Sequence, residues 1–197
     1  MRGCTMKGMS TKWLRSPPPG LPRRLRGWYA VTAALVTAVV AATAPLCPVT
    51  DAEGRPAWRV EMVNDGDTVT CIDHDGRHIR IRLVGIDAPE LDQPRGRESR
   101  AALAAKLAGG VVRVEGRSRD QHGRLLGTLR VGDRDLNREM VADGWAWAFT
   151  GFSDDEDLAA AEAAARRDRR GLWADPQPLA PGRWRELHPP HTTPRQP

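Results

Sequence analysis

Five short stretches between Trp58 and Val131 carry the apolar–polar texture of half-buried strands, and none exceeds eight residues. A chain cut into such pieces cannot build its interior from long helix faces. It has to wrap several short strands around a shared core. The segments are 58–62, 68–72, 77–84, 111–115 and 125–131. In the third, Ile79, Ile81 and Leu83 share one face, which sends Arg80 and Arg82 to the other. Asp75-Gly76 marks a tight turn just ahead of it.

Three helices are interleaved with the strands or follow them. Residues 98–107 are rich in alanine and leucine and end at Gly109-Gly110, and 136–142 follow a cap at Asp135. The third helix spans 154–170, with Ser153 and Glu156 as a capping box, acids in its first turn and arginines in its last. Five strands, one helix after the third and two after the fifth suit a mainly β fold with helices, an OB-type barrel with helical decoration. No internal repeat is evident. After Trp184 the chain turns proline-rich and aperiodic, so 187–197 are expected to be a disordered tail and 53–186 the folded domain.

The net charge of +5 invites a nucleic-acid reading until the charge is located. Seven of the 30 basic residues precede Asp51, and from Glu53 onward 23 basic residues face 24 acidic ones. Phosphate binding by the domain must then come from a few placed arginines and a metal, because bulk positive potential is missing. Cys4, Cys47 and Cys71 have neither metal-ligand nor disulfide-framework spacing, and Cys71 reads as a small apolar strand residue.

Residues 1–27 are basic, proline-rich and free of acids, and an apolar run follows from Trp28 to Ala44. Ala42-Thr43-Ala44 has the A-x-A form that signal peptidases cut, although Pro45 directly behind it is a poor context. The run is also at the short end for a membrane span. Three readings stay open: a cleaved export signal, a retained anchor through 28–44, and a start codon placed too early. The first two put the domain outside the cytoplasm, secreted or membrane-tethered.

Three short segments carry chemistry. Asp65-Gly66-Asp67-Thr68-Val69 enters the second strand, Arg82-Leu83-Val84-Gly85-Ile86-Asp87-Ala88-Pro89-Glu90 leaves the third, and Asp120-Gln121-His122-Gly123-Arg124 precedes the fifth. Each alone could be a turn. Together they supply carboxylates at 67, 87 and 90 and guanidinium groups at 82 and 124, the components that attack of water on a phosphodiester requires. A hard cation on oxygen ligands lowers the charge of the phosphate, a carboxylate orients or deprotonates water, and arginines stabilise the extra negative charge. Zinc does not suit, because no histidine lies at ligand spacing near these carboxylates.

The same order of motifs resembles the thermonuclease (staphylococcal nuclease-like) family. The resemblance continues through Asn137-Arg138-Glu139-Met140-Val141, Gly144-Trp145-Ala146, the run at 161–166 and Gly171-Leu172-Trp173, and covers roughly residues 58–185. It implies a five-stranded OB barrel with three helices that cleaves DNA and RNA with little sequence preference, leaving 3′-phosphate ends. It implies Ca²⁺ held by the side chains of Asp67 and Asp87 and the carbonyl of Ala88, with Asp65 supporting that site from behind. Glu90 is then the general base or water-orienting group, and Arg82 and Arg124 grip the scissile phosphate. Ala88 replaces a family threonine and His122 a family tyrosine, the latter near the substrate phosphate. The competing reading is a binding module that has lost its catalytic groups; the presence of all five charged members favours the enzyme. No protein partner is implied, and a monomer is the default. With a near-neutral domain, log affinity for single-stranded DNA should fall with log salt at a slope of only a few, where a steep slope would mean many neutralised phosphates.

Overall fold

The computed structural model describes residues 49–149 and 155–189. Residues 1–48 of the expected export or anchor segment (1–52), Ser153, and residues 190–197 of the expected tail lie outside them. The strands are β1 (Trp58–Val63), β2 (Thr68–Ile72), β3 (His78–Leu83), β4 (Ile86–Asp87), β5 (Val111–Glu115), β6 (Leu125–Val131), β7 (Arg134–Asp135) and β8 (Trp147–Ala148). The helices are α1 (Gly96–Lys106), α2 (Leu136–Ala142), α3 (Glu156–Arg167) and α4 (Pro181–Leu187), with a 3₁₀ turn at Gly171–Ala174.

Strands β1, β2, β3, β5 and β6 close into a barrel. The sheet runs β3-β2-β1-β5-β6-β7, and a parallel pairing of β3 with β6 joins its ends. Ladders are antiparallel elsewhere, and β1 carries a bulge between Val60 and Met62 that bends it around the barrel. Val69, Cys71, Ile81, Leu83, Val112, Leu125 and Leu129 fill the interior. Leu103 and Leu107 of α1, Leu136, Met140 and Val141 of α2 and Leu158 of α3 complete the same core. Cys71 is buried and unpaired, and burial pushes its thiol up to about 12, so it is the packing residue its pattern indicates.

Several elements differ from the sequence expectation. The cap of α3 is Asp155, whose side chain accepts from the backbone N–H groups of Asp157 and Leu158. The two-residue strands β4 and β8 pair with each other and are too short to leave a periodic signature. The fourth helix, α4, lies in the proline-rich stretch and begins with proline at its first turn, where a missing N–H costs nothing. Its last residue is Leu187, so ordered structure reaches the start of the expected tail.

Asn137 fastens the closure of the barrel. Its buried amide donates to the carbonyls of Val84 at 2.9 Å and Gly127 at 3.2 Å and accepts from the N–H of Leu129 at 3.1 Å. One side chain thereby joins the end of β3, the middle of β6 and the start of α2. Asn137→Ala leaves these backbone groups short of a partner and should cost about 3 kcal/mol, read as a lower urea midpoint at unchanged slope.

Candidate active site

Strand alternation puts Arg82 where it is needed. Ile81 and Leu83 bury themselves in the barrel, so Arg82 between them faces outward, opposite Thr68 in the β2–β3 register. There the Nη1 of Arg82 stands 2.6 Å from Oδ2 of Asp67 and its Nη2 donates to Oδ1 of Asp87 at 2.9 Å. The first contact is close but not aligned as a hydrogen bond, so buried Nη1 lacks a well-aimed acceptor.

Asp67 is buried and heavily engaged. Its Oδ2 accepts from the N–H of Ala88 at 2.6 Å, and its Oδ1 from the hydroxyl of Thr68 at 3.0 Å. Asp65 sits behind it, accepting the N–H of Asp67 at 3.0 Å. Gly66 between them is required by crowding: a Cβ there would lie 1.9 Å from Oγ of Ser99 and 2.7 Å from Cβ of Ala88. Burial pushes the Asp67 carboxyl up to about 8, against the pull of Arg82 and with Asp65 and Asp87 adding to the rise. Asp87 is fixed through its backbone, paired across β4–β8 with Trp147. Trp147 itself packs edge-on against Trp173 at 4.9 Å, the packing role its alternation with Trp145 indicates.

Glu90 lies in the loop beyond, and Gly96 at the start of α1 passes so close that a Cβ there would sit 1.8 Å from the Glu90 carbonyl. Among the described residues no hydrogen bond or ion pair joins Asp67 or Arg82 to Glu90. Its link to the acidic pair is Arg185 of α4, a residue the sequence analysis did not single out. Arg185 donates to Oδ2 of Asp87 at 2.9 Å, Oδ1 of Asp87 at 3.3 Å and Oε1 of Glu90 at 2.9 Å. No local pattern marks it, because its partners are 98 and 95 residues away.

Arg124 and His122 approach from the other side. With Arg82, they line a cavity of about 540 Å³ that also includes Gly85, Asp120 and Phe149. Asp120 accepts from the N–H groups of His122 and Arg124 and from Nε of Arg124 at 2.7 Å. Among the described residues these bonds leave both Nη groups of Arg124 unpaired. The identical turn occurs at Asp51–Arg55 and Asp73–Arg77, each with Arg Nε on the aspartate at 2.7 Å and a glycine at positive φ. A five-residue motif thus recurs three times, unnoticed in the sequence, and Arg124 is the copy whose arginine faces the cavity.

The donors fit a hard cation. Asp65, Asp67, Asp87 and Glu90 place four carboxylates against the guanidinium groups of Arg82 and Arg185, an excess of negative charge carried wholly by oxygen. Among the described residues no group of three or more His, Cys, Asp and Glu side chains stands ready to enclose a metal. Two aspartates would bind the ion and leave its remaining positions to water, backbone and phosphate oxygens, as calcium tolerates.

Similarity to known proteins decides the family. A family profile described as staphylococcal nuclease homologue matches residues 80–175. An uncharacterised endonuclease of Escherichia coli O157:H7 is 41% identical over 128 residues, covering 64% of this chain and 83% of the relative. The chain belongs to the staphylococcal nuclease family. As a member it is a nuclease, a hydrolase of the phosphodiester class. A Haemophilus influenzae protein described as an uncharacterised endonuclease is 36% identical over 127 residues, 64% of this chain and 71% of the relative. The micrococcal nuclease of Shigella flexneri is 36% identical over 146 residues, 66% of this chain and 83% of that protein.

The raised Asp67 has a consequence for this nuclease without metal. Folded, Asp67 keeps its proton up to about pH 8, whereas unfolded it releases it near 3.8. Between these values the folded state binds more protons, so Asp67 makes stability fall as pH rises. In chelator, the wild-type protein should lose on the order of 2 kcal/mol more than Asp67→Asn between pH 6 and pH 9, measured by urea unfolding.

Proposed function

We propose that this nuclease is calcium-dependent, hydrolyses the phosphodiester bonds of DNA and RNA with little sequence preference, and works outside the cytoplasm. The observation that carries the reading is the buried Asp67–Arg82–Asp87 cluster, flanked by the cavity that holds Arg124. Asp67 and Asp87 would hold Ca²⁺, together with the carbonyl of Ala88, and bound there the ion would withdraw charge from a phosphate oxygen.

The chain's own residues supply the rest. Glu90 takes a proton from the attacking water, or orients that water, for in-line attack at phosphorus; as the new P–O bond forms, the bond to the leaving sugar oxygen opposite breaks and that oxygen takes up a proton from solvent. Arg124 offers its two Nη groups to the non-bridging oxygens as charge builds there. Arg82 holds the two aspartates together and, on the wall of the cavity that it shares with Arg124, would meet a phosphate oxygen lodged there. His122 donates to the substrate from the cavity wall, in place of a phenol. The location outside the cytoplasm rests on the basic leader, the apolar run 28–44 and the A-x-A site, which the sequence supplies. Among the described residues no helix is long and apolar enough to cross a membrane.

The test is cleavage of single-stranded DNA and RNA by the purified protein in Ca²⁺ and in chelator, beside Glu90→Gln. Cutting should vanish in chelator and fall at least a hundredfold in the variant, about 3 kcal/mol of barrier. Binding of the strand without cleavage in either protein would move the reading to a nucleic-acid-binding module.

A further inference from the structure

We infer that Arg185 is a third arginine of the active centre, a positioning residue that fixes the Glu90 carboxylate beside Asp87. The inference deepens the nuclease reading above and rests on it. Its first support is geometric. Two nitrogens of one guanidinium span both carboxylates, with Nη1 shared between Asp87 and Glu90 and Nη2 on Asp87 alone. Glu90 is thereby held through Oε1, while among the described residues its Oε2 has no partner and stays available to a water.

The second support is how the arginine is delivered. The segment from Gly171 to Leu187 runs as a strap to the loop that carries Glu90. Leu172, Trp173 and Pro181 are buried along it. Gln93, itself buried, sews the strap to the loop: its Nε2 donates to the carbonyl of Leu179 at 2.6 Å and its Oε1 accepts the N–H of Glu90 at 3.2 Å. The N–H of Gln93 returns to the Glu90 carbonyl at 3.0 Å. The backbone of Glu90 is thus set by Gln93 and its carboxylate by Arg185, both through the strap.

A purely structural role explains this poorly. The Arg185 side chain is 48% exposed and that of Glu90 38%, a setting in which ion pairs add little to stability. Asp87, by contrast, is buried and already paired with Arg82. A second cation on it makes sense as a device that governs the acidic pair. The same charge works against a metal on Asp87, so removing it should tighten calcium binding while loosening Glu90.

The experiment compares wild type with Arg185→Gln and Arg185→Lys. It measures kcat and KM on a short single-stranded oligonucleotide at saturating Ca²⁺, Ca²⁺ affinity by calorimetry, and melting temperature in chelator. Arg185→Gln should lower kcat roughly ten- to a hundredfold with KM within about twofold, since a misplaced catalytic group costs rate rather than binding. It should bind Ca²⁺ several-fold more tightly and melt within a few degrees of wild type. Arg185→Lys restores the charge and hence the wild-type Ca²⁺ affinity. It recovers kcat only in part, because an ammonium cannot reproduce the planar two-nitrogen grip. If Arg185→Gln matches wild type in both kcat and Ca²⁺ affinity, or if its loss of rate follows a rise in KM, Arg185 does not position Glu90. A wild type that binds Ca²⁺ but does not cut would instead sink the nuclease reading. The calorimetric comparison would then still decide whether Arg185 competes for Asp87.

Discussion

One guanidinium between two buried carboxylates organises this molecule. Arg82 can stand between Asp67 and Asp87 only because its neighbours Ile81 and Leu83 are pulled into the barrel, and because β2 and β3 pair in the register that sets Arg82 opposite Thr68. A slip of one residue would turn the arginine into the core and an isoleucine toward the aspartates. The hydrophobic alternation that makes the strand therefore also aims the charge. The N–H of Leu83 on the carbonyl of Asp67, at 2.8 Å, ties the same two segments through the backbone.

That cluster stands at some cost to stability. Burial holds Asp67 well above the ordinary carboxylate range even with a guanidinium 2.6 Å away. A site optimised for stability would have fewer acids or more cations. The surplus of carboxylate is what a hard cation would neutralise, and the backbone N–H of Ala88 and hydroxyl of Thr68 keep Asp67 in one orientation meanwhile. The fold supports this from behind: Asn137 holds the Val84–Gly85 corner, and the β4–β8 pairing holds Asp87 two residues further on.

How much of this is legible in the sequence depends on how local each cause is. The five barrel strands are visible because a period of two is written in consecutive residues, and Asp67, Arg82 and Asp87 follow because they flank those strands. The strands β4 and β8 escape, since two residues have no period. The cap of α3 falls on Asp155 rather than Ser153, a shift of the size that competing acceptors at a helix start permit. Arg185 escapes for a different reason. It sits on a helix of seven residues inside a proline-rich stretch, and its meaning lies wholly in partners on the far side of the chain. What the sequence marks only as the last stretch of the folded domain is the segment that reaches back to the acids.

The turn that presents Arg124 shows where function departs from motif. Asp51–Arg55, Asp73–Arg77 and Asp120–Arg124 have the same sequence form, the same three bonds to the aspartate and the same positive φ at glycine. In each, the aspartate takes Nε. The far end of the guanidinium meets Glu53 and Asp133 at Arg55, and at Arg77 its Nη2 is shared by Asp73 and Asp75, so both charges are spent locally. Arg124 alone opens onto the cavity it shares with Arg82. The motif specifies a turn that points an arginine. The barrel, by placing the third copy directly before β6 where that strand meets β3, determines that this arginine faces the cavity.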